Sequence, residues 1–138
     1  MSDDKTVQAD YKKIAEMIRN VRVALMHTFR TGAPDASALH IRPMYTQKID
    51  PNNFYGDLFF FTDVDSPKIA ELQVNDSIIL TYATPDKEQY VVVKGTATCE
   101  HNEAKAKELW NVHAKGWWPE GPTSPRLTVI RVTVIEAE

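Results

Sequence analysis

Cysteine is nearly absent: Cys99 is the only one in 138 residues, which excludes an internal disulfide and suits a reducing compartment. Basic charge is not in excess either, since 16 Lys and Arg stand against 19 Asp and Glu, for a formal net charge of −3. The electrostatic footprint of a nucleic-acid-binding domain is therefore missing. The longest apolar runs, such as Leu58–Phe61, fall far short of a membrane span. The opening MSDDKTVQ is polar and acidic, so no secretory leader is expected and the cytoplasm is the expected location. There is no Gly-rich phosphate loop, no H-E-x-x-H and no Gly-x-Ser-x-Gly elbow. The histidines His27, His40, His101 and His113 lack ligand spacing, so no metal site is expected.

What is present is ordinary globular composition, 43% hydrophobic and 25% charged, which argues for a single folded domain over 1–138. Val7, Tyr11, Ile14 and Ile18 mark the apolar stripe of an N-terminal helix within 1–20. From Val21 the period drops to two: Val21, Val23, Leu25 and His27 alternate with Arg22, Ala24, Met26 and Thr28. Thr31–Asp35 is a turn cluster that sends the chain back along Ala36–Thr46. Further strands are predicted at Leu58–Thr62, Ser77–Thr84, Gln89–Glu100 and Leu127–Ile135. Helices are predicted at Ser66–Asn75 and Asn102–His113, with a loop over Ala114–Pro125. Hairpin-like links dominate this order and regular β-α alternation is lacking, so a six-stranded antiparallel barrel with peripheral helices is expected. Strand Leu58–Thr62 has aromatic residues on both faces, so both faces should be covered.

Three polar sets stand out among apolar surroundings. Pro43 interrupts a strand, which suggests an edge, a bulge or a strand end beside Arg42. Thr62 closes the aromatic strand. Ser66-Pro67-Lys68 reads as a helix start, with Ser66 as N-cap and Pro67 at the first helical position. A helix N-terminus favours anions, so a lysine there does nothing for the helix dipole. An arginine, a lysine, a hydroxyl and helix N–H groups are what a phosphate monoester needs. Spacing alone does not bring them together, and for Arg42-Pro43 taken alone an edge proline with a solvated arginine is the simpler alternative.

Taken in order, Arg42-Pro43-Met44, Phe59-Phe60-Phe61-Thr62, Ser66-Pro67-Lys68, Tyr90-Val91-Val92-Val93-Lys94-Gly95, Leu109-Trp110 and Trp117-Trp118-Pro119-Glu120-Gly121 resemble the FMN-binding split barrels related to pyridoxamine 5′-phosphate oxidase. The short general stress protein 26 branch is the most similar. The resemblance implies a six-stranded Greek-key split barrel that forms a homodimer, with FMN in two equivalent clefts at the subunit interface. It implies that Arg42, Ser66 and Lys68 hold the phosphate and that Pro43 and Met44 offer backbone near the ring. Phe60, Phe61 and Thr62 would line the ribityl and flavin region. Lys94, Trp110, Trp117 and Trp118 would come from the partner subunit, with Lys94 a candidate cation for the flavin N1–C2=O edge. The implied function is flavin-dependent oxidoreduction of the reductase or oxidase type, fed by a reduced nicotinamide or another donor and linked to stress response. Its alternatives are a non-catalytic flavin store or sensor, and the same barrel carrying haem or a deazaflavin.

The chain departs from that family in three places. The loop Asp50–Gly56 is longer than the usual short turn, which would reshape the cleft mouth. The chain ends at Glu138, where relatives commonly continue with aromatic residues that wall the cleft. The arginine and histidine elements with which true pyridoxamine phosphate oxidases grip substrate are not evident, so vitamin B6 oxidation is not implied.

Overall fold

The computed structural model describes residues 4–29 and 39–137. The turn expected at Thr31–Asp35 lies outside them, as do the side chains of Val7 and His113. The chain runs α1 (Asp4–Val21), β1 (Val23–Phe29), β2 (Leu39–Tyr45), β3 (Asp57–Asp63), α2 (Pro67–Val74), β4 (Ser77–Thr84), β5 (Gln89–Glu100), α3 (Glu103–Leu109), α4 (Val112–Trp117) and β6 (Leu127–Ala137).

The strands form one sheet in the order β2-β1-β4-β5-β6-β3, and every pairing is antiparallel. Its two edges approach each other, because the Gln47 N–H just after β2 donates to the Phe59 carbonyl of β3 at 2.9 Å. The sheet is thus curled into the expected six-stranded antiparallel split barrel. Pro43 lies on β2, an edge of that order, where its missing N–H costs least.

Alternation with period two fills the interior. Ala24, Met26, Phe60, Ile78, Leu80 and Val93 all point inward and are essentially without exposure. Helix α1 closes this core with buried Ala15 and Ile18, and Tyr11 and Ile14 pack at its margin. The other face of β3 needs a second cover. Phe61 meets Leu109, Ala114, Trp118, Leu127 and Val129 in a separate apolar cluster, so α3 and α4 serve as that cover.

Those two helices correct the expected single helix followed by a loop. Asn102 caps α3 as predicted, its Oδ1 accepting from the Lys105 N–H at 3.0 Å. Trp110 then leaves helical geometry with ψ 140°, and Asn111 Oδ1 accepts from the Ala114 N–H at 3.1 Å. An internal cap therefore starts a second helix, because a short amide competes well for free N–H groups. Among the described residues, three α-helices, not two, follow β1 as a result.

Strands β5 and β6 slip register between Lys94 and Gly95. A Cβ on Gly95 would lie 2.3 Å from the Thr133 carbonyl oxygen, so only glycine permits this approach. Among the described residues, no helix is long and apolar enough to cross a membrane.

Candidate functional site

The turn after β3 is built to launch α2. Asp63 Oδ1 accepts from the Asp65 N–H at 3.0 Å, and the Arg126 guanidinium binds both carboxylates at 2.7 Å. Ser66 adopts extended backbone and caps α2, its Oγ accepting from the Lys68 N–H at 3.4 Å, while Pro67 takes the first helical position. N–H groups in such a first turn have no helical partner of their own.

Ser66 and Lys68 line a cleft of about 470 Å³, within the size range of small-molecule sites. Pro43 and Met44 of β2 and Phe61 and Thr62 of β3 supply its strand walls, and Trp117 and Trp118 line it from the end of α4. Tyr45, Gln47, Asp63 and Ala114 complete the lining. The Arg22 guanidinium donates to the Tyr45 hydroxyl at 3.0 and 3.2 Å, and Asn111 Nδ2 donates to Gln47 Oε1 at 2.6 Å. These contacts tie the end of β2 to its surroundings at the cleft.

The two tryptophans differ in kind. Trp117 is 81% exposed, whereas Trp118 is 8% exposed and stands edge-on to Phe61 with ring centroids 6.1 Å apart. The Trp118 Nε1–H is buried without an acceptor among the described residues. Leaving such a donor unmatched costs about 1–3 kcal/mol, and an acceptor on a molecule in the cleft would remove that cost. Gly121 turns the chain away with φ +89°, its N–H donating to the Trp118 carbonyl at 2.9 Å.

Four residues singled out from the sequence do not line this cleft. Phe60 faces the barrel core and has 0% exposure; alternation along β3 turns it opposite to Phe61, which corrects the expectation that both border the ligand. Trp110 packs against Phe61 at 6.4 Å and so supports the lining from behind. Lys94 extends from β5 into solvent, 3.9 Å from Glu136. Arg42 is engaged in a buried network that the motif alone does not disclose.

That network centres on Glu71, 9% exposed and one helical turn beyond Lys68. Arg42 Nη2 donates to Glu71 Oε2 at 3.0 Å and to Thr28 Oγ1 at 2.9 Å. The Thr28 hydroxyl donates to the same Oε2 at 2.6 Å. His40 Nδ1 lies 2.9 Å from Glu71 Oε1 and 2.7 Å from Arg42 Nη2. One ring nitrogen cannot donate to the carboxylate and accept from the guanidinium at once. We assign its proton toward Glu71, the charged acceptor.

Burial pushes the Glu71 carboxyl up, but hydrogen bonds from Thr28 and His40, with the charges of His40 and Arg42, outweigh it and hold the group below its ordinary value. A depressed carboxylate stabilises the fold above its unfolded pKa and loses that contribution as pH falls through the folded value. Denaturant melts are therefore expected to show stability dropping below the ordinary value of 4.5, with a shallower drop in Glu71→Gln. An equal drop in both proteins would contradict this. The Lys68 pKa is lowered as well, but here it is the charged form that is disfavoured: burial and then the Arg42 charge lower it, against opposing pulls from Glu71 and Cys99.

Sequence reading missed Glu71, Thr28, His40 and Gln47. A signal for Glu71 existed, namely an acid three residues after Lys68 and next to inward-facing Leu72. A second cleft, of about 410 Å³, sets Lys48, Lys105 and Arg131 against Asp50, Asp57 and Glu108. Its charges balance, so it offers no comparable anion end. Among the described residues, no group of three or more His, Cys, Asp or Glu could hold a metal ion.

Comparison with known proteins agrees with this fold. The family model for pyridoxamine 5′-phosphate oxidase like proteins matches residues 9–138. Protein bli-3 of Neurospora crassa is 28% identical over 89 residues, which cover 59% of this chain and 43% of that protein. The chain thus spans less than half the length of that relative. The general stress FMN/FAD binding protein of Xanthomonas citri superposes with a TM-score of 0.76 at 24% identity, covering 97% of this chain and 87% of that one. A Clostridium acetobutylicum protein related to general stress protein 26 gives 0.75 at 18% identity, covering 94% and 87%. At these identities the two structures establish a common fold. Since the family model spans nearly the whole sequence, the chain belongs to the pyridoxamine 5′-phosphate oxidase-like family.

Proposed function

We propose that the cleft binds FMN and that the protein is an FMN-dependent oxidoreductase of the reductase or oxidase type. The observation that carries this reading is the convergence of Ser66, Lys68 and the start of α2 at a cleft also lined by Phe61 and Trp118. A phosphate at the α2 end would gain a charge-assisted bond from Lys68 and the favourable end of the helix. The aromatic rings and the Pro43-Met44 backbone suit a flat ring system, and the buried Trp118 N–H suits one that bears acceptors. The FMN/FAD binding named for the Xanthomonas citri protein supports the same ligand class.

Bound FMN would supply hydride acceptance, a chemistry that no side chain here provides. The protein's own share is to bind, orient and shelter the cofactor. Asp63, a carboxylate at the cleft, is already held by Arg126. That observation favours a second reading, in which flavin is bound as a store or sensor without turnover. Reduced nicotinamide is the proposed donor in the first reading. Oxidation of pyridoxamine phosphate itself is not proposed.

A homodimer is proposed as the working form. Val23, Leu25, Ile41 and Tyr90 are 47–60% exposed on the outward face of the contiguous strands β2, β1, β4 and β5. So large an apolar surface suits a second copy of the chain, and Lys94 extends from the same face toward the partner's cleft in this reading.

Absorbance of the purified protein tests the proposal. A yellow protein that releases FMN on denaturation supports flavin binding, and bleaching by NADH or NADPH supports the oxidoreductase. Bound FMN without bleaching supports the store or sensor. A colourless protein that takes up no added FMN refutes both, and a monomer in sedimentation at micromolar concentration refutes the dimer.

Alkaline pH should weaken binding as well. The lowered pKa of Lys68 means that its charge is lost earlier than that of an ordinary lysine, so FMN affinity is expected to fall as pH rises through that value. Lys68→Arg should move the fall to higher pH, because arginine keeps its proton. A pH profile identical in both proteins would exclude Lys68 as the titrating group.

A further inference from the structure

We propose that Glu71 is a positioning residue for the phosphate end of the cleft, fixing Arg42 beside Lys68 before any ligand arrives. The inference rests on the flavin phosphate reading above and assigns a function to a residue outside the cleft lining.

Two cations brought together in a partly buried place repel each other and need an anion between ligand-binding events. Arg42 reaches Glu71 at 3.0 Å, and Glu71 stands one helical turn beyond Lys68 on α2, so the two cations share one end of that helix; the Arg42 charge is accordingly among the causes that lower the Lys68 pKa. Glu71 supplies the missing charge from the turn after Lys68, and it does so by direct contact with Arg42 at 3.0 Å. Its other contacts make the arrangement rigid. Thr28 of β1 and His40 of β2 saturate the two carboxylate oxygens, so the carboxylate cannot swing away from Arg42 without breaking them. The same three bonds fasten α2 to the β1–β2 edge, which holds the helix start, with Ser66 and Lys68, in place.

Glu71 does not line the cleft, so it would act through Arg42 and through the position of α2. This separates it from the residues that touch a ligand. Its worth should appear in phosphate recognition, because Arg42 and Lys68 are the groups that it organises. Of the groups proposed to meet the isoalloxazine, Phe61 and Trp118 come from β3 and the end of α4, which Glu71 does not touch.

The test compares FMN with riboflavin, which lacks the phosphate, by flavin fluorescence quenching in folded variants. Glu71→Met removes both acceptor oxygens at similar volume, and Glu71→Ala repeats the comparison if the methionine variant does not fold. Glu71→Gln keeps one acceptor oxygen for Thr28 and Arg42. The expected result is an FMN affinity about tenfold weaker in Glu71→Met, with riboflavin changed less than about threefold. Glu71→Gln, which keeps the acceptor but not the charge, should weaken FMN by a factor between those of wild type and Glu71→Met, with riboflavin again changed less than about threefold. Combined with Arg42→Ala, Glu71→Met should add less than its effect alone, since part of that effect passes through Arg42.

Equal weakening of FMN and riboflavin would overturn the proposal, leaving Glu71 a general stabiliser of the fold. Unchanged or tighter FMN binding in Glu71→Met would overturn it too, as would full additivity with Arg42→Ala. Failure of the parent reading looks different, because the wild-type protein would then bind neither flavin or bind both equally.

Discussion

Replacing Lys68 with alanine is expected to weaken FMN by about 1.5–3 kcal/mol, or about 10- to 150-fold, as loss of a charge-assisted bond would. Riboflavin should lose much less, since it carries no phosphate for the lysine to meet. Lys68 is the cleaner of the two cations to remove. It lines the cleft, and its charge is not locked in a short ion pair among the described contacts. Arg42→Ala is expected to weaken FMN over a similar range, but it also strips Glu71 of a partner at 3.0 Å. Breaking a buried pair from one side costs about 3–5 kcal/mol in stability, so a loss of binding there must be measured on folded protein. Equal losses of FMN and riboflavin in Lys68→Ala would remove the phosphate from this end of the cleft.

Phe60→Ala is expected to destabilise the protein by about 3–5 kcal/mol, the cost of emptying a large aromatic site in a packed core. That is a sizeable share of the 5–15 kcal/mol typical of a folded domain. The folded fraction should nonetheless bind FMN as the wild type does, because Phe60 has 0% exposure and belongs to the barrel interior. Phe60→Leu, a milder change that keeps most of the apolar volume, allows the same comparison where the alanine variant is too unstable. Denaturant melts and flavin titrations together decide the matter. A variant that melts like wild type but binds FMN poorly would return Phe60 to the ligand.

These two expectations mark how far the sequence could be read. Strand positions were legible because alternation is a local signal: Val91, Val93 and Ala97 face inward as their spacing implies. The start of α2 was legible for the same reason, since Ser66 and Pro67 act on their own turn. Phe60 and Phe61 were harder, because a strand covered on both faces is apolar throughout and its pattern does not say which side meets a ligand. The break at Trp110-Asn111 was hidden by helical spacing on both sides of it, and only the Asn111 cap separates α3 from α4. Glu71 was missed because its value comes from Thr28, His40 and Arg42, which are 29 to 43 positions away in the chain. Such pairings arise from the fold of β1 and β2 beneath α2 and leave no periodic trace.

The most direct measurement is a titration of the purified, flavin-free protein with FMN, followed through the fluorescence of Trp117 and Trp118, which line the cleft. A saturable quench that ends at equimolar FMN, and that shifts to higher concentration in Lys68→Ala, is the expected result. Fluorescence that does not respond to FMN, with no flavin retained after gel filtration, would contradict a flavin site in this cleft.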